Sequence, residues 1–333
     1  MLSVIVPVWN AQKTLSRCLD SLLRQDVDEY EIVCVNDGST DGSDTILKAY
    51  QAKHPDLIRV VQQKKLGLPA ARNAGLNVAK GDVIAFCDSD DYLIPGAYGY
   101  LLNAFWNQQV DMLHFESVTL DRYMLREWKE NDDVRGTCFY EGEGTECLMG
   151  QRPKLSFVWS FLYRHSFLEK NRLRFRPVRQ CEDVLFNWEA FLCRPWVKLV
   201  SSNVYRYCVS TGQLTRLRTP NVMREAVDGY LQLFRLMKRT VAERPEWETV
   251  LRYYRAYEAV PCMSRVLSAG FSKEEFLDTR VLLQELDVLP MVGEGGFSRT
   301  VNACMASYFH YTVASWLYRR LFLPFVLPQL RRN

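Results

Sequence analysis

The sequence predicts an α/β protein with a mostly parallel central sheet flanked by helices, followed by a helical carboxyl-terminal region. Three observations carry that expectation. Strand-like and helix-like segments alternate from residue 1 to about 120, as βα units do. Three short apolar runs, residues 4–8, 32–35 and 83–86, each end in polar, turn-forming residues, so three strands present their carboxyl ends to one crevice, where open α/β sheets bind ligands. From Asn221 onward the apolar residues recur at helical spacing.

The first strand runs through residues 4–8. Asn10 can then cap a helix carrying Leu15, Cys18, Leu19, Leu22 and Leu23 on one face. Residues 31–35 read as the second strand, and Thr40 or Asp41 can cap a helix whose apolar side is Ile46, Leu47 and Tyr50. Residues 57–61 are the third strand, 69–79 an Ala-rich helix and 82–86 a fourth strand, after which Pro95 opens a helix reaching Trp106. The charged, Gly-containing segment 121–150 lacks periodicity and is expected to be loop and edge structure. Residues 155–163 and 196–208 read as strands enclosing a helix at 183–193. The later helical pattern places Val227, Tyr230, Leu231, Phe234, Met237 and Val241 on one face, which divides the chain into an α/β part, 1–215, and a helical part, 216–333. There is no internal repeat and no low-complexity tract.

With 333 residues, 48% hydrophobic and 24% charged, the chain has ample material for a sizeable core. A net charge of +3 is too mild to announce a nucleic-acid partner, and none is expected. The ten cysteines include no Cys-x-x-Cys pair, and several fall inside apolar strand or helix patterns. They read as reduced core residues, which favours a cytoplasmic location, and no basic leader or apolar signal core follows Met1.

The run Cys87-Asp88-Ser89-Asp90-Asp91 delivers three carboxylates at a strand's carboxyl end, where hard oxygen ligands suit a divalent cation. The competing reading is an ordinary turn. Asp37, followed by Gly38-Ser39, can cap a helix or accept the imide N–H of a base such as uracil, with the glycine letting a ligand approach the backbone closely. Arg72 opens a helix and is either a fixed cation for a diphosphate or part of a solvated face. In Cys181-Glu182-Asp183 the two acids begin an amphipathic helix, which the helix dipole alone would favour. Consecutive residues point in different directions, so one acid is expected to face the cleft, and Asp183 is the choice.

Together, residues 4–10, Asn36-Asp37-Gly38-Ser39-Thr40-Asp41, Ala71-Arg72-Asn73-Ala74-Gly75, Asp88-Ser89-Asp90-Asp91 and Glu182-Asp183 resemble the family 2 inverting glycosyltransferases of GT-A fold, over about residues 1–210. The resemblance implies that Pro7, Trp9 and Asp37 line the nucleoside pocket and that Asp88 lies near the ribose and metal. It further implies that Asp90 binds Mn²⁺ or Mg²⁺ on the diphosphate, and that Asp183 is the acceptor base. Position 181 departs from the pattern, since many relatives have Gly where this chain has Cys181. The segment Tyr205-Arg206-Tyr207 with Ser210, Thr211, Thr215 and Arg216 resembles one that can close over the diphosphate. The expected reaction is transfer of a sugar from a nucleotide-sugar, by resemblance UDP-linked, to a glycan or lipid-linked acceptor in cell-surface polysaccharide synthesis. One base deprotonates the acceptor as it attacks with inversion, and a cation neutralises the leaving group.

Two other functions are weighed against this one. A sugar nucleotidyltransferase would need a Gly-rich phosphate loop where this chain has Pro7-Val8-Trp9-Asn10. A non-catalytic nucleotide-sugar-binding module would be expected to lack a carboxylate, yet Asp37, Asp88, Asp90 and Asp183 are all present. The tail is also ambiguous: residues 301–318 carry no Asp, Glu, Lys or Arg, and two Arg pairs and two prolines follow. It reads either as a peripheral contact with the inner face of a membrane or as a helix packed on the protein.

Overall fold

The structure is a computed structural model, which describes residues 1–106, 109–121, 134–209, 219–291 and 296–318. The chain divides into two units. The first comprises residues 1–177 and 182–210, the second residues 178–181 and 211–333.

The first unit is built on one nine-stranded sheet. Its parallel part is β1 (Leu2–Val8), β2 (Tyr30–Asp37), β3 (Ile58–Gln63) and β4 (Val83–Phe86), in the order β3-β2-β1-β4. These strands connect through α1 (Leu15–Leu22), α2 (Ser43–Lys53) and α3 (Leu68–Val78), which explains their near-continuous apolar runs: helices cover a parallel sheet and bury its strands. Every residue of β1 is buried.

Beyond β4 the sheet becomes mixed. The short β5 (Tyr92–Leu93) and α4 (Ala97–Phe105) precede β6 (Met112–Asp121), β7 (Cys138–Glu143), α5 (Gly144–Gly150), β8 (Phe161–Arg164), α6 (His165–Lys170), α7 (Glu182–Leu192) and β9 (Trp196–Val209). β8 runs antiparallel to both β4 and β6, and β9 pairs in parallel with β6. The expected strand over 155–163 is shorter than its apolar run, because residues Val158–Ser160 turn as a 3₁₀ helix, held by the Ser160 hydroxyl donating to the Phe157 carbonyl at 2.8 Å. Within 121–150, β7 is the expected edge structure, antiparallel to β9, while residues 122–133 lie outside the described residues.

Asn10 does not cap α1. It sits at φ +50°, and its side-chain oxygen accepts from the Thr40 amide at 2.8 Å, which ties the end of β1 to the loop after β2. Asp41 does serve the start of α2, accepting from the Ser43 amide at 3.0 Å. All ten cysteines are free.

The second unit is helical: α8 (Pro220–Glu243), α9 (Glu248–Ala269), α10 (Lys273–Glu285), α11 (Gly296–Met305) and α12 (Tyr308–Leu317). The uncharged stretch 301–318 is therefore two helices, divided where the Ser307 hydroxyl accepts from the His310 amide and caps α12. Tyr311 and Ser315 dock α12 against the end of α9, through hydroxyl bonds to the Val266 carbonyl at 3.2 Å and the Leu267 carbonyl at 2.7 Å. The other side of α12 exposes Phe309, Val313, Trp316 and Leu317. Among the described residues no helix is long and apolar enough to cross a membrane, and residues 319–333 lie outside them.

α3 must lie close to β1 for its residues to reach the strand ends, and Gly75 permits that approach. A Cβ there would stand 2.4 Å from Ile5 Cγ2, far inside contact distance. Gly75→Ala gains roughly 1 kcal/mol of helix propensity but forces a repacking that typically costs about 1–3 kcal/mol. The substitution is expected to lower the urea midpoint, and an unchanged or raised midpoint would show that α3 can move.

Candidate functional site

The carboxyl ends of β1, β2 and β4 and the first turns of α3 and α7 carry the residues singled out in the sequence. Pro7 is buried in β1, opposite Val35 of β2. Trp9, just past the strand, is 49% exposed, and the Lys65 ammonium lies 3.2 Å from its ring centroid. Asp37 ends β2 and is 3% exposed. One of its oxygens accepts from Gln63 Nε2 at 2.6 Å and the Leu66 amide at 2.8 Å; the other accepts from the Gly67 amide at 2.9 Å. Asp37 thus holds the turn leading into α3 rather than capping α2. Gly38, at φ +66°, admits a close neighbour, and that neighbour is the protein itself: a Cβ would lie 2.8 Å from the Lys65 amide nitrogen.

The acidic run after β4 is a tight turn closed by the Asp91 amide donating to the Asp88 carbonyl at 3.0 Å. Its backbone is held from outside by Arg17, which donates to the Asp90 carbonyl at 2.6 Å. The turn separates the three carboxylates. Asp91 points into the core at 0% exposure, accepting from the Tyr205 hydroxyl at 2.8 Å and the Cys208 amide at 2.7 Å. Burial first, then the neighbouring Asp90 and Asp88, push its carboxyl well above the usual range. Asp88 and Asp90 are only partly buried. Of the three carboxylates delivered at the end of β4, Asp91 is thus turned into the core, leaving Asp88 and Asp90, the pair the resemblance implies for the metal. Among the described residues no three His, Cys, Asp or Glu gather as a metal site. Two carboxylates nonetheless suit a hard cation whose remaining ligands are water and substrate phosphates.

Arg72 is not a solvated helix face. It is 1% exposed, with its guanidinium carbon 5.2 Å from the Phe175 ring centroid. Nη2 donates to Asp88 Oδ1 at 3.0 Å, while Nη1 donates to Glu182 Oε1 at 3.3 Å and to Asp183 Oδ1. Three carboxylates from two distant segments thus converge on one cation, where an unpaired guanidinium would be prohibitively costly to bury. The second Asp183 oxygen accepts from the Val158 amide at 3.2 Å. Both acids of the Glu-Asp pair reach the same Arg72 nitrogen. Burial, then the charge of Asp183, raises Glu182 to about 8. Burial also raises Asp183, but Arg72 and the Val158 amide favour its ionised form. Cys181 lies at φ +66°, a conformation natural to glycine, the residue type the resemblance implies there.

The sequence reading did not single out Gln63, Lys65, Val158 or Trp159. Val158 acts through its backbone, which no residue identity reveals. Tyr205, in the segment that resembles one able to close over a diphosphate, is a fully buried residue of β9, within the strand expected over 196–208. The accompanying residues 210–218 lie outside the described residues.

Residues 3–171 match the family described as "Glycosyl transferase family 2". The uncharacterized glycosyltransferase EpsJ of Bacillus subtilis (strain 168) is 33% identical over 239 residues, which span 70% of this chain and 67% of EpsJ. Two solved structures share the fold. S. aureus TarS 1-349 in complex with UDP-GlcNAc gives a TM-score of 0.56 at 21% identity, covering 96% of this chain and 91% of TarS 1-349. The mannosyltransferase PcManGT from Pyrobaculum calidifontis, in complex with GDP-Man and Mn²⁺, gives 0.55 at 16% identity, covering 97% and 87%. With its acidic turn, buried arginine and paired acids set at the ends of a GT-A sheet, the chain belongs to glycosyltransferase family 2 and is a glycosyltransferase.

Proposed function

We propose that this glycosyltransferase transfers a sugar, with inversion, from a UDP-sugar to a hydroxyl of a glycan or lipid-linked acceptor in cell-surface polysaccharide synthesis. The observation that carries the proposal is the convergence of Asp88 and Asp183 on Arg72, which sets a donor-side carboxylate and a candidate base a guanidinium's width apart. Residues 1–215 are assigned as the catalytic part. TarS, solved with UDP-GlcNAc, and the poly(ribitol-phosphate) beta-glucosyltransferase of Bacillus spizizenii, 30% identical over 212 residues, support the donor and acceptor classes.

Pro7, Trp9 and Asp37 are assigned to the nucleoside. Trp9 offers an aromatic face, and Asp37, though engaged by three donors, retains acceptor capacity for an imide N–H, because a carboxylate has about four lone-pair positions. Asp90, with Asp88, is assigned to Mn²⁺ or Mg²⁺, which when bound would neutralise charge on the leaving diphosphate. Arg72 adds a fixed positive charge behind the same carboxylates. A leaving group stabilised in this way needs no general acid, so one base suffices.

Asp183 is assigned as that base. Burial raises both acids and Arg72 opposes that rise in both, but Asp183 alone also accepts from the Val158 amide, a bond that favours its ionised form. Asp183→Asn is expected to reduce transfer by at least about a thousandfold while leaving UDP affinity nearly unchanged. Parallel turnover and calorimetric binding measurements check it; loss of activity in Glu182→Gln with retention in Asp183→Asn would move the role to Glu182.

The same pair gives a stability signature. Glu182 releases its proton near 4.5 in the unfolded chain and near 8 in the folded one, so between those values the folded state binds more protons and stability falls as pH rises. The slope from this single group is at most about 1.4 kcal/mol per pH unit. Glu182→Gln removes it, so the variant should gain on the wild type in melting temperature between pH 5 and pH 8, roughly the span between the two states. A constant difference between the two proteins would contradict the assignment.

Residues 216–333 are assigned as a helical region whose tail, from about residue 301 to 333, makes peripheral contact with anionic lipid on the inner face of the cytoplasmic membrane. The exposed face of α12 supports this, with Phe309 72% and Trp316 53% exposed, as does a sequence with no acidic residue and four Arg after residue 300. The double substitution Phe309→Ser and Trp316→Ser spares the Tyr311 and Ser315 contacts. It is expected to weaken sedimentation with anionic vesicles by about tenfold or more, given about 1.5 kcal/mol or more for each aromatic withdrawn from water. Equal sedimentation would contradict the assignment.

A further inference from the structure

Tyr205 carries more connections to the site than any packing role requires. Its hydroxyl has one proton and two lone pairs, and both kinds of bonding face the acidic turn: it donates to Asp91 Oδ2 at 2.8 Å and accepts from the Asp88 amide at 3.1 Å. Asp91 in turn accepts from the Cys208 amide at 2.7 Å, so β9 grips the last residue of the turn through a side chain and a main chain at once. The first and last residues of the turn are thereby fixed to one strand, and the carboxylates between and beside them inherit that orientation. The ring of Tyr205 makes a second set of contacts. It stacks on Trp159 with centroids 4.2 Å apart and planes 6° from parallel. Trp159 is stacked on its other neighbours Phe157 and Tyr207, at 4.6 Å and 5.7 Å. Between Phe157 and Trp159 lies Val158, whose amide donates to Asp183 at 3.2 Å.

We infer that Tyr205 is a positioning residue that sets the acidic turn and the base-bearing helix against each other: its hydroxyl orients Asp88 and Asp90, and its ring fixes the segment that orients Asp183. The inference deepens the proposed function, because it rests on Asp88 and Asp90 holding a cation and on Asp183 being the base. It assigns to β9 a part in the reaction that belongs to none of the site residues named above. Phe keeps the stack on Trp159 and the volume and removes only the hydroxyl, so it separates the hold on the turn from the hold on the Val158 segment. Removing the hydroxyl leaves Asp91 with one donor fewer and the Asp88 amide without its acceptor, so the turn is free to re-form with its carboxylates aimed elsewhere.

The test compares wild type, Tyr205→Phe and Tyr205→Leu in the full chain, using UDP with and without Mn²⁺ as the probe, together with melting temperature. Tyr205→Phe is expected to lose about tenfold in Mn²⁺-dependent UDP affinity, the equivalent of about 1.4 kcal/mol, with metal-free UDP affinity unchanged. Tyr205→Leu, which also loses the stack, should in addition lower the turnover number with donor saturating, because the Val158 segment is no longer held against Asp183. If Tyr205→Phe binds UDP with Mn²⁺ as tightly as the wild type, or loses metal-free and Mn²⁺-dependent affinity equally, the inference is overturned and the proposed function stands. If the wild type itself shows no Mn²⁺ dependence, the cation assignment of Asp88 and Asp90 fails, and the inference fails with it. Should Tyr205→Leu not fold, the Phe variant decides alone, since it keeps every apolar contact.

Discussion

A guanidinium buried at 1% exposure constrains everything around it. Arg72 cannot lose its proton at any accessible pH, so its burial demands negative charge within hydrogen-bond reach, and the fold delivers it from residue 88 on one side and residues 182 and 183 on the other. This makes Arg72 the joint between the half of the sheet that ends in the acidic turn and the helix that carries the paired acids. Removing the arginine would leave three carboxylates crowded together; removing one carboxylate would still leave the others to satisfy the cation. The acids outnumber the single guanidinium, an excess of negative charge that a divalent cation would offset.

Backbone contacts supply the precision that the charge cluster lacks. Asp37 grips two amides of the turn before α3, and that turn in turn starts the helix from which Arg72 projects. Gly38 and Gly75 allow the two close approaches on which this arrangement depends, to the Lys65 backbone and to Ile5. On the other side, Arg17 and Tyr205 hold the acidic turn by a carbonyl and an amide. The backbone that carries Asp88 and Asp90 is therefore held by groups from other elements, α1 and β9, and Asp183 by the Val158 amide.

Much of the architecture was legible because parallel strands buried on both faces leave continuous apolar runs, and β1, β2 and β4 all do so. The helical faces of α1 and α8 were legible for the complementary reason of period. What escaped was set by partners far away in the chain. Asp90 and Asp91 are adjacent and identical in type, yet Asp91 turns inward because Tyr205, 114 residues later, donates to it. Arg72 looks like an exposed helix residue until Asp183, 111 residues on, is seen against it. Asn10 has the identity of a helix cap but bonds to Thr40 instead, across the strand ends. The two-residue β5 and the six-residue α6 are too short to leave a periodic signal. Local pattern records what each segment buries; it does not record which side chain another segment will hold.

The central claim is that donor-side and acceptor-side chemistry meet at the Arg72 cluster, with the cation on the acidic turn. Anomalous scattering from crystals grown with UDP and MnCl₂ tests this most directly. A single Mn²⁺ peak is expected within coordination distance of Asp90, beside the diphosphate, with Arg72 still bonded to Asp183. A Mn²⁺ peak bound away from residues 88–91, or a diphosphate with no Mn²⁺ beside it, would contradict the claim.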